Sequence, residues 1–268
     1  MLAAIGSHLL QILRVGSLLL ILHAPLAGMA ADLRTIQRRG HLVVAVKDNL
    51  RPLGFRDPQG HLQGFEIDIA RRLAQELSER PDRLILKPVP NTDRLMVVIQ
   101  DAADLTIARV TQTPLRGRIV AFSQPYYRDG TVLVTRNPHL RDIGQIGHQA
   151  IAVLNQASTI RALQEKLPTA RLLGVSSYQA AWELLEQGGA IAFAADASVL
   201  TGWVQEHPHY RLLPSPLSIE PLVVVLPKGE QYEALQHRVN ELLERWHLEG
   251  WLRQRAEFWG LPWLQEGS

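Results

Sequence analysis

Short apolar runs alternate with amphipathic stretches along most of the chain, and this alternation predicts its secondary structure. Leu42–Val46 is a continuous apolar run typical of a buried strand. Residues 68–77 place Ile69, Leu73 and Leu77 on one face of a helix. Further strands are predicted over residues 84–89 and 105–108, with a helix over residues 92–100 between them. This order of strands and helices favours a mostly parallel sheet covered by helices.

The same pattern then repeats with new residues and predicts a second unit of similar size. Its strands and helices are expected over residues 151–154, 158–166, 172–175, 177–186, 190–194 and 197–205. Extended segments are predicted at residues 131–135 and 222–226, and a helical region follows over residues 230–249. Four aromatic residues of this last part are expected in the core: Trp246, Trp251, Phe258 and Trp259. The fold class is therefore α/β, with two units.

The first thirty residues differ from the rest and predict an export signal. Arg14 is their only charged residue, and residues 15–22 are almost wholly apolar. Gly28 and Ala30 are small residues at the positions that a signal peptidase reads, so cleavage is expected after about Ala30. The apolar run is shorter than the ~20 residues of a membrane-spanning helix, but a retained anchor stays open as an alternative. The predicted location is the periplasm.

Composition excludes several classes of protein. The net charge is +2, and loss of Arg14 would leave 27 basic against 26 acidic residues, so nothing indicates a nucleic-acid partner. The chain of 268 residues contains no cysteine, which excludes disulfides, thiolate nucleophiles and Cys-ligated zinc. No Gly-rich phosphate loop is present, and His207-Pro208-His209 is read as a loop. No cofactor and no metal site are predicted.

The segment Thr111-Gln112-Thr113-Pro114-Leu115-Arg116 carries the clearest chemistry. It places one guanidinium after a polar Thr-x-Thr stretch, ahead of the short apolar strand that ends in Ser123-Gln124-Pro125-Tyr126. A guanidinium is a fixed fork of donors that matches a carboxylate in two parallel hydrogen bonds. Such a segment can hold the α-carboxylate of a free amino acid, although a surface arginine after a turn is the simpler alternative.

Five motifs in sequence order resemble those of the bacterial periplasmic amino-acid-binding proteins, the family 3 solute receptors of ABC uptake systems. The resemblance runs from about His41 to Gly260. The motifs are the strand at residues 42–46 followed by Pro52 and Phe55, the segments Gly60–Ala70, Thr111–Tyr127 and Ala192–Asp196, and the return segment Val225–Gly229.

The resemblance implies a two-lobed fold of type II, with two strands that cross between the lobes and a ligand cleft that closes by a hinge motion. Residues 31–127 and 226–268 would form lobe 1, and residues 128–225 would form lobe 2, after a signal peptide of residues 1–30.

The resemblance also assigns residues to the ligand. Arg116 would bind the α-carboxylate of an amino acid, assisted by Thr111 and by Ser158 and Thr159 at the start of a helix. Asp196 would pair with the α-ammonium. Simple helix capping remains the alternative for Ser158, Thr159 and Asp196.

Two apolar residues are also assigned to the pocket by resemblance. Phe65 stands where the family often places an aromatic ring over the ligand, with ordinary core packing as the alternative. Leu50 lies in a loop that often lines the same pocket.

Three positions depart from the pattern of the family. Leu115 replaces a common Glu, Arg109 stands where many relatives carry glycine, and Lys47 stands where some relatives carry a ligand-contacting acid. Lys47 and Arg109 are either solvated charges at the rim or extra positive charge near the ligand. The second interpretation favours an acidic ligand, or a pocket that is partly filled and binds something unusual.

The functional hypothesis is a monomeric, non-catalytic receptor that binds a polar or acidic amino acid and delivers it to a membrane permease. One alternative is an enzyme on the same fold, similar to the periplasmic cyclohexadienyl dehydratases, for which Glu220 and Asp48 are the candidate carboxylates. A second alternative is a sensor subunit that reports ligand binding to a membrane kinase.

Overall fold

The computed structural model describes residues 32–78 and 83–263, so the predicted signal peptide lies outside the described residues. The strands in chain order are β1 (Leu42–Val46), β2 (Asn49–Leu50), β3 (Gly54–Arg56), β4 (Leu62–Gln63), β5 (Leu84–Pro88), β6 (Leu105–Ile107), β7 (Ala121–Asp129), β8 (Thr131–Thr135), β9 (Ala150–Leu154), β10 (Arg171–Val175), β11 (Ala192–Asp196), β12 (Arg211–Leu212) and β13 (Glu220–Leu226). The helices are α1 (Leu33–Arg39), α2 (Phe65–Leu77), α3 (Met96–Ile99), α4 (Thr159–Lys166), α5 (Tyr178–Glu186), α6 (Ala197–Glu206), α7 (Glu233–Leu248) and α8 (Trp251–Phe258).

Two five-stranded sheets share one strand order. The first sheet runs β5-β1-β6-β13-β7 and the second runs β10-β9-β11-β8-β12. In each sheet the first three strands are parallel, whereas β13 and β8 pair antiparallel with both of their neighbours. The predicted α/β class is confirmed, but the sheets are mixed rather than mostly parallel, because the strand arriving from the other sheet enters in the opposite direction.

The chain crosses between the sheets twice, and the two crossings lie against each other. Gly130 joins β7 to β8, and a Cβ atom at this glycine would lie 1.9 Å from the Ser218 carbonyl oxygen on the second crossing. Thr131 N also donates to Ser218 Oγ at 2.9 Å. We call the first sheet with α1, α2, α3, α7 and α8 the first lobe, and the second sheet with α4, α5 and α6 the second lobe.

The strand pairing extends the first sheet beyond the lobe limits expected from the sequence. β7 continues to Asp129, and β13 already begins at Glu220. Residues 128–129 and 220–225, which were expected in lobe 2, therefore belong to strands of the first sheet. The limits of the two lobes as rigid units remain a proposal.

Each lobe has its own apolar core. In the first lobe, Ile69, Leu73 and Leu77 of α2 are buried as their spacing predicted, and Trp246 is fully buried against them. Trp251 and Trp259 pack against the edge of this core. The expectation for Phe258 is wrong, because its side chain is 66% exposed. The Arg255 guanidinium lies 4.2 Å from the centre of its ring.

Most predicted elements are confirmed with shifted ends, and two helices are shorter than predicted. The helix expected over residues 92–100 is reduced to α3, because the preceding residues form turns. α7 begins only at Glu233, after a short 3-10 turn at Glu230–Tyr232. The small sheet of β2, β3 and β4 was not predicted. Within the described ranges, no helix has the length and apolarity needed to cross a membrane.

Candidate functional site

The guanidinium of Arg116 is positioned by the Thr-x-Thr segment that precedes it. Arg116 Nη1 donates to the Thr111 carbonyl oxygen at 2.8 Å and to Thr111 Oγ1 at 2.9 Å. The Arg116 amide also donates to Thr113 Oγ1 at 3.3 Å, which closes the turn. Within the described residues Arg116 forms no ion pair with a carboxylate. The structure therefore brings Thr111 and Arg116 together, and Thr111 fixes the Nη1 side of the guanidinium group.

Arg94 lies beside this arginine and was missed by the sequence reasoning. Its Nη1 donates to the carbonyl oxygens of Ala108 and Arg109 at 3.0 and 2.6 Å, and its Nε donates to Asn91 O at 3.1 Å. Burial lowers the pKa of Arg94, and the positive charges of Arg109 and Arg116 lower it further. The only signal in the sequence was a charged residue at the start of an apolar helical pattern.

A cavity of about 250 Å³ opens next to these two guanidinium groups. Its lining residues are Asn91, Thr92, Arg94, Leu95, Met96, Val110, Arg116 and Ile119. Two of them are cationic and none is acidic. A cavity with this lining suits a small anion, because a carboxylate forms charge-assisted hydrogen bonds with guanidinium groups.

Asp196 is the last residue of β11 and directly precedes α6. Its backbone has the N-cap position of α6, but its side chain makes no capping hydrogen bond. Instead, its Oδ2 pairs with Arg109 Nη2. The side chains of Arg109 and Asp196 are 25% and 16% exposed. The candidate acid of the second lobe is thus engaged by an arginine of the first lobe.

Both the backbone and the side chain of Arg109 contact other elements of the protein. Its backbone φ is 51°, in the left-handed region that side chains other than Gly, Asn and Asp rarely adopt. Its amide donates to Glu66 Oε1 at 2.7 Å, and its Nε lies 3.5 Å from Asp129 Oδ2. Asp129 is itself buried and accepts from Ser198 N and Oγ at 2.9 and 2.5 Å. The interpretation of Arg109 as a solvated rim charge is therefore wrong.

Glu66 is a second residue that the sequence reasoning missed. It is fully buried at the start of α2, where Tyr126 Oη donates to its Oε1 at 2.5 Å. Burial raises the pKa of Glu66, and the hydrogen bonds from Tyr126 and Arg109 oppose this effect only in part. The sequence signal was its place inside the Gly60–Ala70 motif.

Lys47 is buried rather than solvated. Only 5% of it is exposed, and its Nζ donates to the Val89 carbonyl oxygen at 3.0 Å. Burial lowers the pKa of Lys47, and the positive charge of Arg94 adds to this effect. The interpretation as a rim charge is wrong here too, and the charge of Lys47 adds to that of the neighbouring arginine.

The two apolar candidates pack into the first core. Phe65 is fully buried, with its ring centre 6.2 Å from that of Tyr126 and 5.7 Å from that of Tyr127. Its placement over a ligand is therefore corrected to ordinary core packing, the alternative raised from the sequence. Leu50, in β2, is half-buried and contacts the edge of the same core.

Ser158 and Thr159 lie at the start of α4 in the second lobe. Ser158 is exposed at the N-cap but makes no side-chain capping hydrogen bond. Thr159 is only 4% exposed, and its Oγ1 has no hydrogen-bond partner in the described part of the chain. The capping alternative is therefore not realised, and their role toward a ligand stays a prediction.

The histidine pair of the predicted loop lies among aromatic rings. His207 stacks on Trp182 with 6.2 Å between ring centres, and His209 Nε2 lies 3.4 Å from Glu186 Oε1. Residues 32–78 and 83–263 contain no group of three His, Cys, Asp or Glu side chains that could hold a metal ion.

The protein has two lobes with equal strand order, and the chain crosses between them twice at adjacent places. Charged side chains of the two lobes face each other. These features define a solute-binding protein of type II. Residues 42–262 match the family described as bacterial extracellular solute-binding proteins, family 3, and the chain belongs to this family.

Relatives within the family include transport receptors and one enzyme. The chain is 28% identical over 222 residues to the ABC transporter glutamine-binding protein GlnH of Bacillus subtilis (strain 168), covering 81% of this chain and 80% of the relative. It is 26% identical over 259 residues to the cyclohexadienyl dehydratase of Pseudomonas aeruginosa, covering 94% of each chain. The structure of an ancestral cationic amino acid solute-binding protein is similar in fold, with a TM-score of 0.71, 24% identity and coverage of 85% of this chain and 98% of that one.

Proposed function

We propose that the protein is an exported receptor that binds a small carboxylate-bearing solute, of the size of an amino acid, between its two lobes. The observation that carries this proposal is Arg116. Its guanidinium is fixed by Thr111, forms no ion pair with a described carboxylate, and lines a cavity that it shares with Arg94. A fixed fork of donors next to a second guanidinium favours a carboxylate ligand.

Membership of a family of extracellular solute-binding proteins supports export and a receptor role. Relatives named as parts of ABC transporters support delivery of the ligand to a membrane permease. A signal peptide cleaved after about Ala30, the periplasm as location and a monomeric state complete the proposal. A sensor role would use the same binding chemistry.

The charge around the cavity favours an acidic solute. Besides burial, the positive charge of Arg94 lowers the pKa of Lys47. The charges of Arg109 and Arg116 in turn lower the pKa of Arg94, which is also buried. A second carboxylate on the ligand would gain from this excess of positive charge, whereas a basic side chain would be repelled.

The test is isothermal titration calorimetry on residues 31–268 with a panel of amino acids and small organic acids. We expect micromolar or tighter binding of at least one acid, and a loss of about 100-fold in Arg116→Ala, because the ligand carboxylate would lose its main charge-assisted bonds. Arg118→Ala is the matched control, since Arg118 is an exposed arginine that lies with Arg116 in the 3-10 turn Arg116–Arg118. Absence of binding to every member, or an unaffected Arg116→Ala, would refute the proposal.

A second candidate function is dehydration of a carboxylated ring, because the similarity to cyclohexadienyl dehydratase spans 94% of the chain. The two carboxylates considered for this reaction, Asp48 and Glu220, are both placed by contacts within the protein. Asp48 pairs with Arg56 at 3.3 Å, and Glu220 lies opposite Asp129 in the first sheet. Turnover of prephenate or arogenate by the purified protein would establish this function, and binding of these acids without turnover would leave the receptor role.

A further inference from the structure

The ion pair between Arg109 and Asp196 joins the two lobes where the family resemblance places the ligand's ammonium. Arg109 follows β6 of the first sheet, and Asp196 ends β11 of the second. The carboxylate assigned by resemblance to the α-ammonium is therefore paired with a guanidinium of the same chain. A carboxylate compensated in this way gains little from a second cation.

We propose that Arg109 takes the place of the ligand's ammonium, so that the site binds carboxylates lacking an adjacent amine, such as dicarboxylic, 2-oxo or 2-hydroxy acids. This inference rests on the proposed receptor function and names its ligand class. Amino acids themselves would bind poorly, because their ammonium would meet the Arg109 guanidinium instead of a free carboxylate.

The backbone of Arg109 is closed to an ammonium as well. Its carbonyl oxygen accepts from Arg94 Nη1 at 2.6 Å, so a cation already lies at this acceptor. Its amide donates to the buried Glu66 at 2.7 Å. Arginine in the left-handed region, with φ of 51°, is unfavourable and persists only where its surroundings fix it. These contacts fix the backbone from which the side chain reaches Asp129 and Asp196.

The balance of charge points the same way. The carboxylates of Asp129 and Asp196 both pair with Arg109. Lys47, Arg94 and Arg116 form no ion pair with any carboxylate of the described ranges. The buried Glu66 is the third carboxyl group that acts on these cations, apart from Asp48, which pairs with Arg56. Four cations therefore face at most three negative charges. The surplus is positive, and it is offset better by a ligand with two negative charges than by a zwitterion.

The experiment compares acids that differ only in the amine, by calorimetry on residues 31–268. The pairs are succinate with aspartate and 2-oxoglutarate with glutamate. Of succinate and 2-oxoglutarate, the one that binds the wild type more tightly should bind at least tenfold more tightly than the amino acid it is paired with. In Arg109→Gly this preference should reverse, because Asp196 becomes free for an ammonium and glycine suits the left-handed backbone.

A second variant keeps the inference testable if Arg109→Gly fails to fold. In Asp196→Asn, the Arg109 guanidinium is released toward the ligand, so the affinity for the acid should rise by about tenfold. A site that uses Asp196 to hold an ammonium would instead lose amino-acid binding in this variant.

The outcomes separate the two claims. Wild-type protein that binds the amino acid as tightly as its matched acid, with Arg116→Ala still defective, overturns the inference and leaves the receptor. Equal weakening of all ligands in Arg109→Gly overturns it too, since the ion pair would then only hold the lobes together. Protein that binds neither class refutes the proposed function, and the inference with it.

Discussion

Glu66 is a buried carboxyl group whose protonation makes the stability of the protein depend on pH. Its Oε2 has no hydrogen-bond partner among the described residues, and burial raises its pKa above the ordinary 4.5. Between pH 4.5 and this raised pKa, the native state therefore binds more protons than the unfolded state. Stability is lost as the pH rises above 4.5 toward the raised pKa of Glu66.

Glu66→Gln should remove this dependence, because the amide stays neutral and keeps an oxygen for Tyr126 and Arg109. We expect the free energy of unfolding of the variant, relative to wild type, to increase with pH above 4.5, by at most about 1.4 kcal/mol per pH unit. Urea unfolding between pH 4 and 8 measures it, with Glu244→Gln on the exposed face of α7 as the control. A constant difference across this range would contradict the assigned burial cost.

Lys47→Met should separate the charge of this lysine from its packing, because methionine replaces the apolar stem without the ammonium. We expect about tenfold weaker binding of dicarboxylates, little change for monocarboxylates, and a higher melting temperature, since a buried cation is costly. Lys87→Met is the matched control, because Lys87 Nζ also donates to a backbone carbonyl, Ala102 O, but from an exposed position. Equal effects of the two substitutions in calorimetry would contradict the specific role of Lys47.

At this scale the sequence predicts what is local and misses what comes from distant elements. The contact of Arg116 with Thr111 follows from a spacing of a few residues. Arg94 could not be assigned, because it reaches carbonyl oxygens beyond the next strand. The burial of Lys47 was hidden for the same reason.

Helix α6 approaches the first lobe closely at Gly202. A Cβ atom at Gly202 would lie 2.4 Å from the carbonyl oxygen of Arg51, which follows β2 in the first lobe. This approach is shorter than carbon and oxygen tolerate, so the position requires glycine when the lobes are together.

Gly202→Ala should keep the lobes apart while each lobe stays folded. We expect at least tenfold weaker ligand binding and a larger radius of gyration in small-angle scattering of the ligand-bound protein. Gly188→Ala is the control within the second lobe, since its Cβ would meet nothing within 4 Å, although its φ of 71° adds some strain. Wild-type affinity in Gly202→Ala would show that this contact is not needed for binding.

Elements whose apolar residues recur at a regular spacing are predicted well from the sequence. α2 and the strands β1 and β11 follow from apolar spacing, and Ser177 caps α5 by accepting from Ala180 N at 3.1 Å. The region before α3 was misassigned because its turns are fixed by Arg94, whose bonds reach other elements. The local sequence pattern also could not predict that β8 and β13 run antiparallel to their neighbours, because the direction of these strands depends on the lobe from which the chain arrives.

The whole molecule is two lobes connected by adjacent crossings and a few polar contacts. Besides the Arg109 pair, Gln205 Nε2 of α6 donates to the Trp259 carbonyl oxygen of the first lobe at 2.8 Å. Ser198 also bonds to Asp129 at the first crossing. Because these polar contacts lie on elements of both lobes, a ligand that bridges the lobes adds to the same interface, as in hinge closure.

Ligand binding should therefore raise the stability of the entire chain. At 100 times the dissociation constant, the tightest acid of the calorimetric panel is expected to add about 2.7 kcal/mol, or about 5–10 °C in melting temperature. Differential scanning fluorimetry measures this shift, which should vanish in Arg116→Ala and persist in Arg118→Ala. A shift of equal size in Arg116→Ala would place the ligand elsewhere.

The most direct measurement identifies the small molecule that co-purifies with the protein expressed with its export segment. Mass spectrometry of the denatured wild type should release a small acid in stoichiometric amount, and the same acid should be missing from Arg116→Ala. Release of a solute without a carboxylate, or of equal amounts from both proteins, would contradict the carboxylate receptor.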